Sequence, residues 1–300
     1  MSDASVQAAW PVLDWPQWAD TADTLHMLTQ IVGKTRLALA PLQNHWWNVA
    51  LYLSARGLST SVMPSPRGGL LEIEFDFIAH QLVFRASSGE IEVLPLRAQS
   101  VAGFYSDYGK VLESLAGKIH INPMPVEVKD PIRFDEDTLH KSYDREAVWR
   151  FWRCLGHADE LFKRFSGNFC GKISPVHFFW GSFDLAVTRF NGRRAPVRAG
   201  SDSIQAEAYS HECISAGFWP GNGGYGQAAF YCYAAPVPAG LAQSAIPAPG
   251  RFNADLGEFL LDYAAVCRSS APDRMVLEFL ANTYGAAARA AQWDRAALDR

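Results

Sequence analysis

The strongest chemical grouping in the chain is Glu207-Ala208-Tyr209-Ser210-His211-Glu212. On a strand, Glu207, Tyr209 and His211 share one face; on a helix, Glu207 and His211 still meet, four positions apart. Either way a carboxylate comes within reach of an imidazole, an arrangement that orients a general base and raises its pKa. His211 is therefore the candidate proton-transfer group, with Glu207 or Glu212 orienting it. A second grouping runs from Ser174 to Asp184. Strand alternation puts Trp180, Ser182 and Asp184 on one face and His177 on the other, unless a bulge at Gly181 intervenes. His177, Trp180, Asp184 and Tyr209 are candidate ligand contacts, and His45, Trp46 and Trp47 form their counterpart earlier in the chain. The competing reading of each is packing: a core histidine satisfied by a neighbour, or an aromatic stripe inside a sheet.

His45, His177 and His211 with Glu207 or Glu212 have the donor types of a histidine–carboxylate metal site. At such loose spacing, a chain with 8 His supplies a set of this kind by chance, so no metal is assigned and no cofactor is specified. Phosphate-binding glycine motifs, the H-E-x-x-H pattern and the G-x-S-x-G elbow are all absent. Gly221-Asn222-Gly223-Gly224-Tyr225-Gly226 lacks a following crossover helix and reads as a hairpin loop.

The elements that must carry these residues follow from periodicity. Trp10 to Pro16 reads as an extended arm, because residues before proline avoid the helical region. A helix is predicted from Asp20 or Thr21, with Leu25, Leu28 and Val32 on its apolar stripe and Gly33 ending or kinking it. His45 to Leu53 reads as a strand from its aromatic and β-branched content. Leu71, Ile73, Phe75 and Phe77 alternate with Glu72, Glu74 and Asp76, which implies a wet outer face for the carboxylates. Strands over 81–85 and 90–96 lead to a helix over 100–116. A Pro- and Asp-rich connector precedes a helix over 144–165, whose stripe includes Trp149, Trp152, Leu155, Phe162 and Phe165. Strands are then predicted over 173–190, 205–213, 227–233 and 259–266, and a last helix over 273–292.

Two halves emerge. Gly33-Lys34 before His45-Trp46-Trp47 is echoed by Gly171-Lys172 before His177-Phe178-Phe179-Trp180, and Gln81 to Phe84 by Gln227 to Phe230. The fold class is α+β: two similar α-β-β-β-α halves with antiparallel sheets in a pseudo-twofold arrangement, with a cleft expected at their junction. The boundaries are an N-terminal arm over 1–19, a first half over 20–121, a connector over 122–143 and a second half over 144–300, packed as one compact unit.

The chain has 300 residues, near the size where single cores begin to divide. It is 49% hydrophobic and 19% charged, with a net charge of −4, which weighs against nucleic-acid and membrane-surface partners. The uncharged stretch from Cys213 to Gly250 is interrupted by five prolines and is not a membrane span. Five scattered cysteines and the lack of a basic, apolar N-terminal segment point to a reduced, cytoplasmic protein. Cys213 and Cys232 read as small buried hydrophobes. The aromatic content is high, with 10 Trp, 18 Phe and 10 Tyr, residues that fill cores and also wall ligand cavities.

The strings Ile31 to Lys34, His45-Trp46-Trp47, Ser174 to Phe190, Glu207 to Glu212 and Gly217-Phe218-Trp219-Pro220-Gly221 resemble a bacterial family of about 300 residues catalogued only as a domain of unknown function. The resemblance implies a bacterial, stand-alone cytosolic protein and carries over no activity, cofactor or catalytic residue. On side-chain chemistry alone, the leading reading is a small-molecule site in an aromatic-lined cleft, with acid–base chemistry of a hydrolase or lyase kind if it is an enzyme. The alternative is a non-catalytic binding or protein-interaction module. A homo-oligomer built on the loops between Cys213 and Gly250 also stays open.

Overall fold

The computed structural model describes residues 10–197, 200 and 203–300. Its first element, α1 (Trp15–Leu39), has Pro16 in its first turn, a position where the missing N–H costs nothing. The helix thus starts earlier than the sequence predicts; Asp20 and Thr21 lie inside it, and the extended arm ends at Asp14. Every residue of α1 from Thr24 to Arg36 is buried, so this is a central helix surrounded on all sides. Its polar residues are mostly satisfied locally: Thr24, Thr29 and Thr35 donate to carbonyls of α1 itself, and Gln30 exchanges two hydrogen bonds with the Val126 backbone.

The first sheet holds β1 (Tyr52–Leu53), β2 (Gly57–Ser59), β3 (Met63–Pro64), β4 (Leu70–Asp76), β5 (Gln81–Ala86) and β6 (Ile91–Pro95). All pairings are antiparallel, in the order β1-β2-β4-β5-β6, with β3 also on β4. α2 (Val101–Ala116) follows, capped by Ser100, whose side chain accepts from the Gly103 N–H. After the connector comes α3 (Arg145–Ser166), capped by Asp144. The second sheet contains β7 (His177–Phe179), β8 (Asp184–Arg194), β9 (His211–Trp219), β10 (Ala229–Ala235), β11 (Arg251–Asn253) and β12 (Glu258–Asp262), in the order β7-β8-β9-β10-β12-β11. A short helix α4 (Ser203–Ala208) lies between β8 and β9, and α5 (Tyr263–Cys267), α6 (Pro272–Ala290) and α7 (Arg295–Leu298) complete the chain.

The two sheets meet at their first strands. Leu51 and Phe178 form an antiparallel bridge, the N–H of each donating to the carbonyl of the other at 2.9 and 2.8 Å. Helix α1 packs on α2 and on α3, and α3 packs on α6, which gives the order α2-α1-α3-α6 against the sheets. One contiguous apolar core threads both halves, including Leu25, Phe75, Phe104, Phe151, Phe178, Phe230 and Leu280. No helix among the described residues is long and apolar enough to cross a membrane.

Several sequence expectations are corrected here. His45 to Leu53 is not one strand: Asn44–Trp46 is a 3-10 turn in which His45 and Trp46 have φ of 57° and 60°, and pairing begins only at Leu51, which bridges to Phe178 ahead of Tyr52–Leu53. The strand expected over 173–190 is split by a turn after Phe179, so Phe179 pairs with Asp184 and both share a face with His177. Residues 205–208 are helical, and the strand expected over 259–266 ends at Asp262. Glu74 and Asp76 are buried beside Arg85 and Arg56 rather than forming a wet face. Trp149 is 38% exposed, with Arg153 against its ring, instead of facing the core.

Gly33 neither ends nor kinks α1. Trp180 lies where its Cβ would be, held there by a hydrogen bond from Nε1 to the Val49 carbonyl at 2.8 Å. Helix propensity alone favours alanine over glycine by about 1 kcal/mol, but overlap with a pinned indole costs about 1–3 kcal/mol. Gly33→Ala is therefore expected to lower stability in a urea melt; an equal or higher midpoint would show that Trp180 can move aside freely.

Candidate functional site

The helices cover one face of the second sheet. Strand register places His177 and Phe179 of β7, Asp184, Ala186, Thr188 and Phe190 of β8, Ser215 and Gly217 of β9, Tyr231 and Tyr233 of β10, and Glu258 and Leu260 of β12 on the opposite face. Two smaller apolar clusters form there, around Tyr231 with Phe179 and Trp219, and around Phe190 with Trp47 and Tyr209. Gly217 is required beneath Tyr231: a Cβ would overlap its ring and hydroxyl. The phenol thereby lies across β9 and donates to Asp184, which also accepts from Ser182. Burial pushes the Asp184 carboxyl up against the opposing effect of these hydrogen bonds. Glu258 is pushed up to about 7, chiefly by burial and then by the charge of Asp184, and Glu127 is raised by the same two causes in the same order.

At the other end of this face, side chains from both halves meet around Trp47. His45, projected by the strained turn, bonds through Nδ1 to the Ala208 carbonyl at 3.1 Å, and its backbone N–H donates to Glu207 at 3.2 Å. Lys172 Nζ lies 2.8 Å from His45 Nε2 and 5.3 Å from the ring centres of both Trp47 and Phe190. An Nδ1–H donated to the carbonyl leaves a lone pair on Nε2, so Lys172 is the donor and His45 is neutral. Burial lowers the His45 pKa, assisted by the charges of Lys172 and His211 and opposed by the Ala208 carbonyl and Glu207. The His211 ring is 5.6 Å from that of His45, and its Nδ1 meets Ser210 Oγ at 3.1 Å. Tyr209 and Tyr233 share a hydroxyl–hydroxyl bond at 3.0 Å.

Trp47 also packs edge-on against His177, with ring centres 5.8 Å apart. The Tyr52 hydroxyl lies 3.4 Å from His177 Nε2, and the Arg36 guanidinium sits 5.4 Å from the Tyr52 ring centre. Burial, followed by the charge of Arg36, drives the His177 pKa down to about 4.

Of the residues nominated by sequence, His45, Trp47, His177, Glu207, Tyr209 and His211 converge here. Asp184 lies on the same face nearer Tyr231. Trp180 belongs to the core against α1, and Trp46 is half-buried in the turn. The predicted carboxylate–imidazole pairing takes another form: Glu207 hydrogen-bonds to the His45 backbone, and Glu212 pairs with Arg193 and Asn191 at 2.7 Å each. Arg36, Tyr52, Lys172, Tyr231 and Glu258 were missed. Lys172 carried one signal, its place in the Gly-Lys repeat; the others sit within ordinary helix or strand patterns. Among the described residues no group of three or more His, Cys, Asp or Glu is placed to hold a metal. A cavity of about 120 Å³ opens between α6 and the 246–250 loop, but the strongly shifted groups are elsewhere, and chemistry is placed by them rather than by volume.

These observations define an α+β protein of two six-stranded antiparallel sheets, with titratable groups of both halves gathered beside their junction. Residues 10–300 match the family described as a family of unknown function (DUF5996), and the chain belongs to that family. No curated protein and no solved structure matches it.

Glu258 binds its proton more tightly in the folded protein than its ordinary value of 4.5 allows, so its stabilising contribution is present at low pH and lost as pH rises through about 7. Glu258→Gln is expected to be more stable than the parent at about pH 8, by about 1–2 kcal/mol after discounting for solvent screening. Its urea-melt stability should also vary less between about pH 5 and 8. Equal pH slopes in the two proteins would remove Glu258 as the titrating group.

Proposed function

We propose that the protein binds a small organic molecule on the face of the second sheet away from the helices, between Trp47 and Tyr233, and that the His45–Lys172 pair with His211 serves acid–base chemistry on it. The observation that carries this reading is the contact between Lys172 Nζ and a neutral His45 Nε2, held by backbone strain, Ala208 and Glu207. An ammonium donating to an imidazole, with a second imidazole adjoining and aromatic walls on either side, can orient a ligand and pass a proton. His211 is half-buried and is the exchanging group; Lys172 holds the ligand. The protein would act in the bacterial cytoplasm.

Native mass spectrometry and elemental analysis of protein purified without a metal-affinity step should reveal a retained small molecule or, failing that, guide a ligand screen. For any ligand found, Lys172→Met and His211→Ala are expected to weaken binding at least about tenfold, the scale of one charge-assisted hydrogen bond. The melting temperature should change little, because Lys172 is exposed and His211 half-buried. Unchanged affinity in both variants would defeat the reading.

We also infer that the chain arose by duplication of one helix–sheet–helix unit. The order α1, first sheet, α2 repeats as α3, second sheet, α6, and the two first strands face each other across the Leu51–Phe178 bridge. Superposition of 15–116 on 145–290 should place helix, sheet and helix in one common frame; a fit of the strands alone would count against it.

A further inference from the structure

We propose that the junction of the two sheets is an anion site, in which Arg36 of α1 and His177 of β7 hold the carboxylate or phosphate oxygens of a small organic acid that displaces the side chain of Tyr52. This rests on the sheet face away from the helices being a ligand site and adds the charge class of the ligand.

Arg36 is 6% exposed, and its Nε and Nη1 are buried with no hydrogen-bond partner. Among the described residues it forms no ion pair with a carboxylate; its close neighbour is the Tyr52 ring. Burying a guanidinium without compensation is costly, and buried charges in proteins are ordinarily paired. The buried threonines and Gln30 of α1 are bonded, whereas among the described residues Trp18 Nε1 has no partner and Lys34 meets only the rings of Phe134 and Trp180. His177, from the other half, is 0% exposed and its Nδ1 is likewise buried without a partner. Two unsatisfied groups, on different elements, therefore border the same tyrosine.

The surrounding charges do not neutralise Arg36. The loop before β7 contributes Lys172, the 44–46 turn His45, and β9 His211, all cationic or neutral. Glu207 of α4 is the carboxylate of this cluster, and it is engaged by the His45 N–H. Arg36 thus carries a buried positive charge without a carboxylate partner, which a ligand oxyanion would offset.

Among the described residues Tyr52 is the one polar partner of Arg36, whose side chain it hydrogen-bonds. Its other hydroxyl contacts are long, 3.4 Å to His177 and 3.5 Å to the Trp47 carbonyl, on a strand of two residues. Its ring lies against Arg36 and its oxygen against His177, so the side chain occupies the space that an oxygen-bearing organic ligand would take. Trp47 and Phe179, both edge-on to His177, would wall the apolar part of such a ligand. The guanidinium fork suits two oxygens of one carboxylate or phosphate.

The test titrates the full-length protein with sodium benzoate and, separately, with inorganic phosphate at low ionic strength, by calorimetry and by NMR of the histidine rings. Expected are binding with a dissociation constant of about 1 mM or tighter and a rise in the His177 pKa of at least about one unit on saturation, because the anion cancels the field of Arg36. Arg36→Met should weaken binding at least about tenfold, Arg36→Lys should restore part of it, and Tyr52→Ala should tighten it. A preference for benzoate assigns the site to organic carboxylates, and one for phosphate to phosphate groups. If Arg36→Met does not fold, the His177 titration and the Tyr52→Ala affinity decide. No binding of either anion to the parent or to Tyr52→Ala overturns the proposal, as does binding that leaves His177 unmoved. A ligand lost in Lys172→Met but indifferent to Arg36 replacement would spare the site between Trp47 and Tyr233 and sink the anion assignment alone.

Discussion

Two hydrogen bonds between Leu51 and Phe178 join the sheets, and the helix layer can stay continuous only if the sheets meet edge to edge there. With the first strands joined, α1 and α3 become neighbours at the centre and α2 and α6 fall to the flanks. The price is a helix buried on every side, α1, whose polar residues must then be satisfied from within or from the connector. The same bridge brings Tyr52 of one half against His177 of the other, so the meeting of the sheets and the gathering of chemistry are one geometric event.

The face of the second sheet away from the helices is electrostatically divided. Near the junction stand Arg36 and Lys172 with three imidazoles, of which His45 and His177 are held towards neutrality by burial. At the Gly181 end of β8 lie Asp184 and Glu127, and on β12 lies Glu258, each raised towards the protonated state by burial and, for the two glutamates, by Asp184. Between them run aromatic side chains and the Thr188–Ser215 hydroxyl pair. A ligand lying across this face would meet hydrogen-bond donors at one end and protonatable carboxyls at the other.

Burial on the other face has a different logic. Arg189 projects from β8 into the helix layer, where its guanidinium stacks 3.5 Å from the Phe165 ring centre and 4.2 Å from that of Tyr284, while its Nη2 donates to the Phe165 carbonyl. Two rings and a carbonyl replace a counter-ion and leave Nε without a partner, whereas Arg36 has one ring at 5.4 Å and two unpaired nitrogens. The contrast is why Arg189 reads as structural and Arg36 as ligand-directed.

Much of the secondary structure was legible because it is local. The caps Ser100 and Asp144, the alternation from Leu71 to Phe77 and the apolar stripe of α3 act within a few residues, so sequence by itself determined α2, β4, β5 and α3, the α+β class and the presence of two sheet-bearing halves. The turn at His45 was illegible because its positive φ values are imposed by contacts with Ala208 and Glu207, over 160 positions away. Glu74 and Asp76 looked solvated because alternation reports the face of a strand and not what lies above it. The sequence also nominated most of the histidines that converge, yet paired His211 with the nearest carboxylates in the chain, whereas folding gives Glu207 to His45 and Glu212 to Arg193. Which residues are near in sequence is a matter of local backbone geometry; which charges are left buried and unpaired depends on the solvent that every other element excludes, and only the tertiary structure decides that.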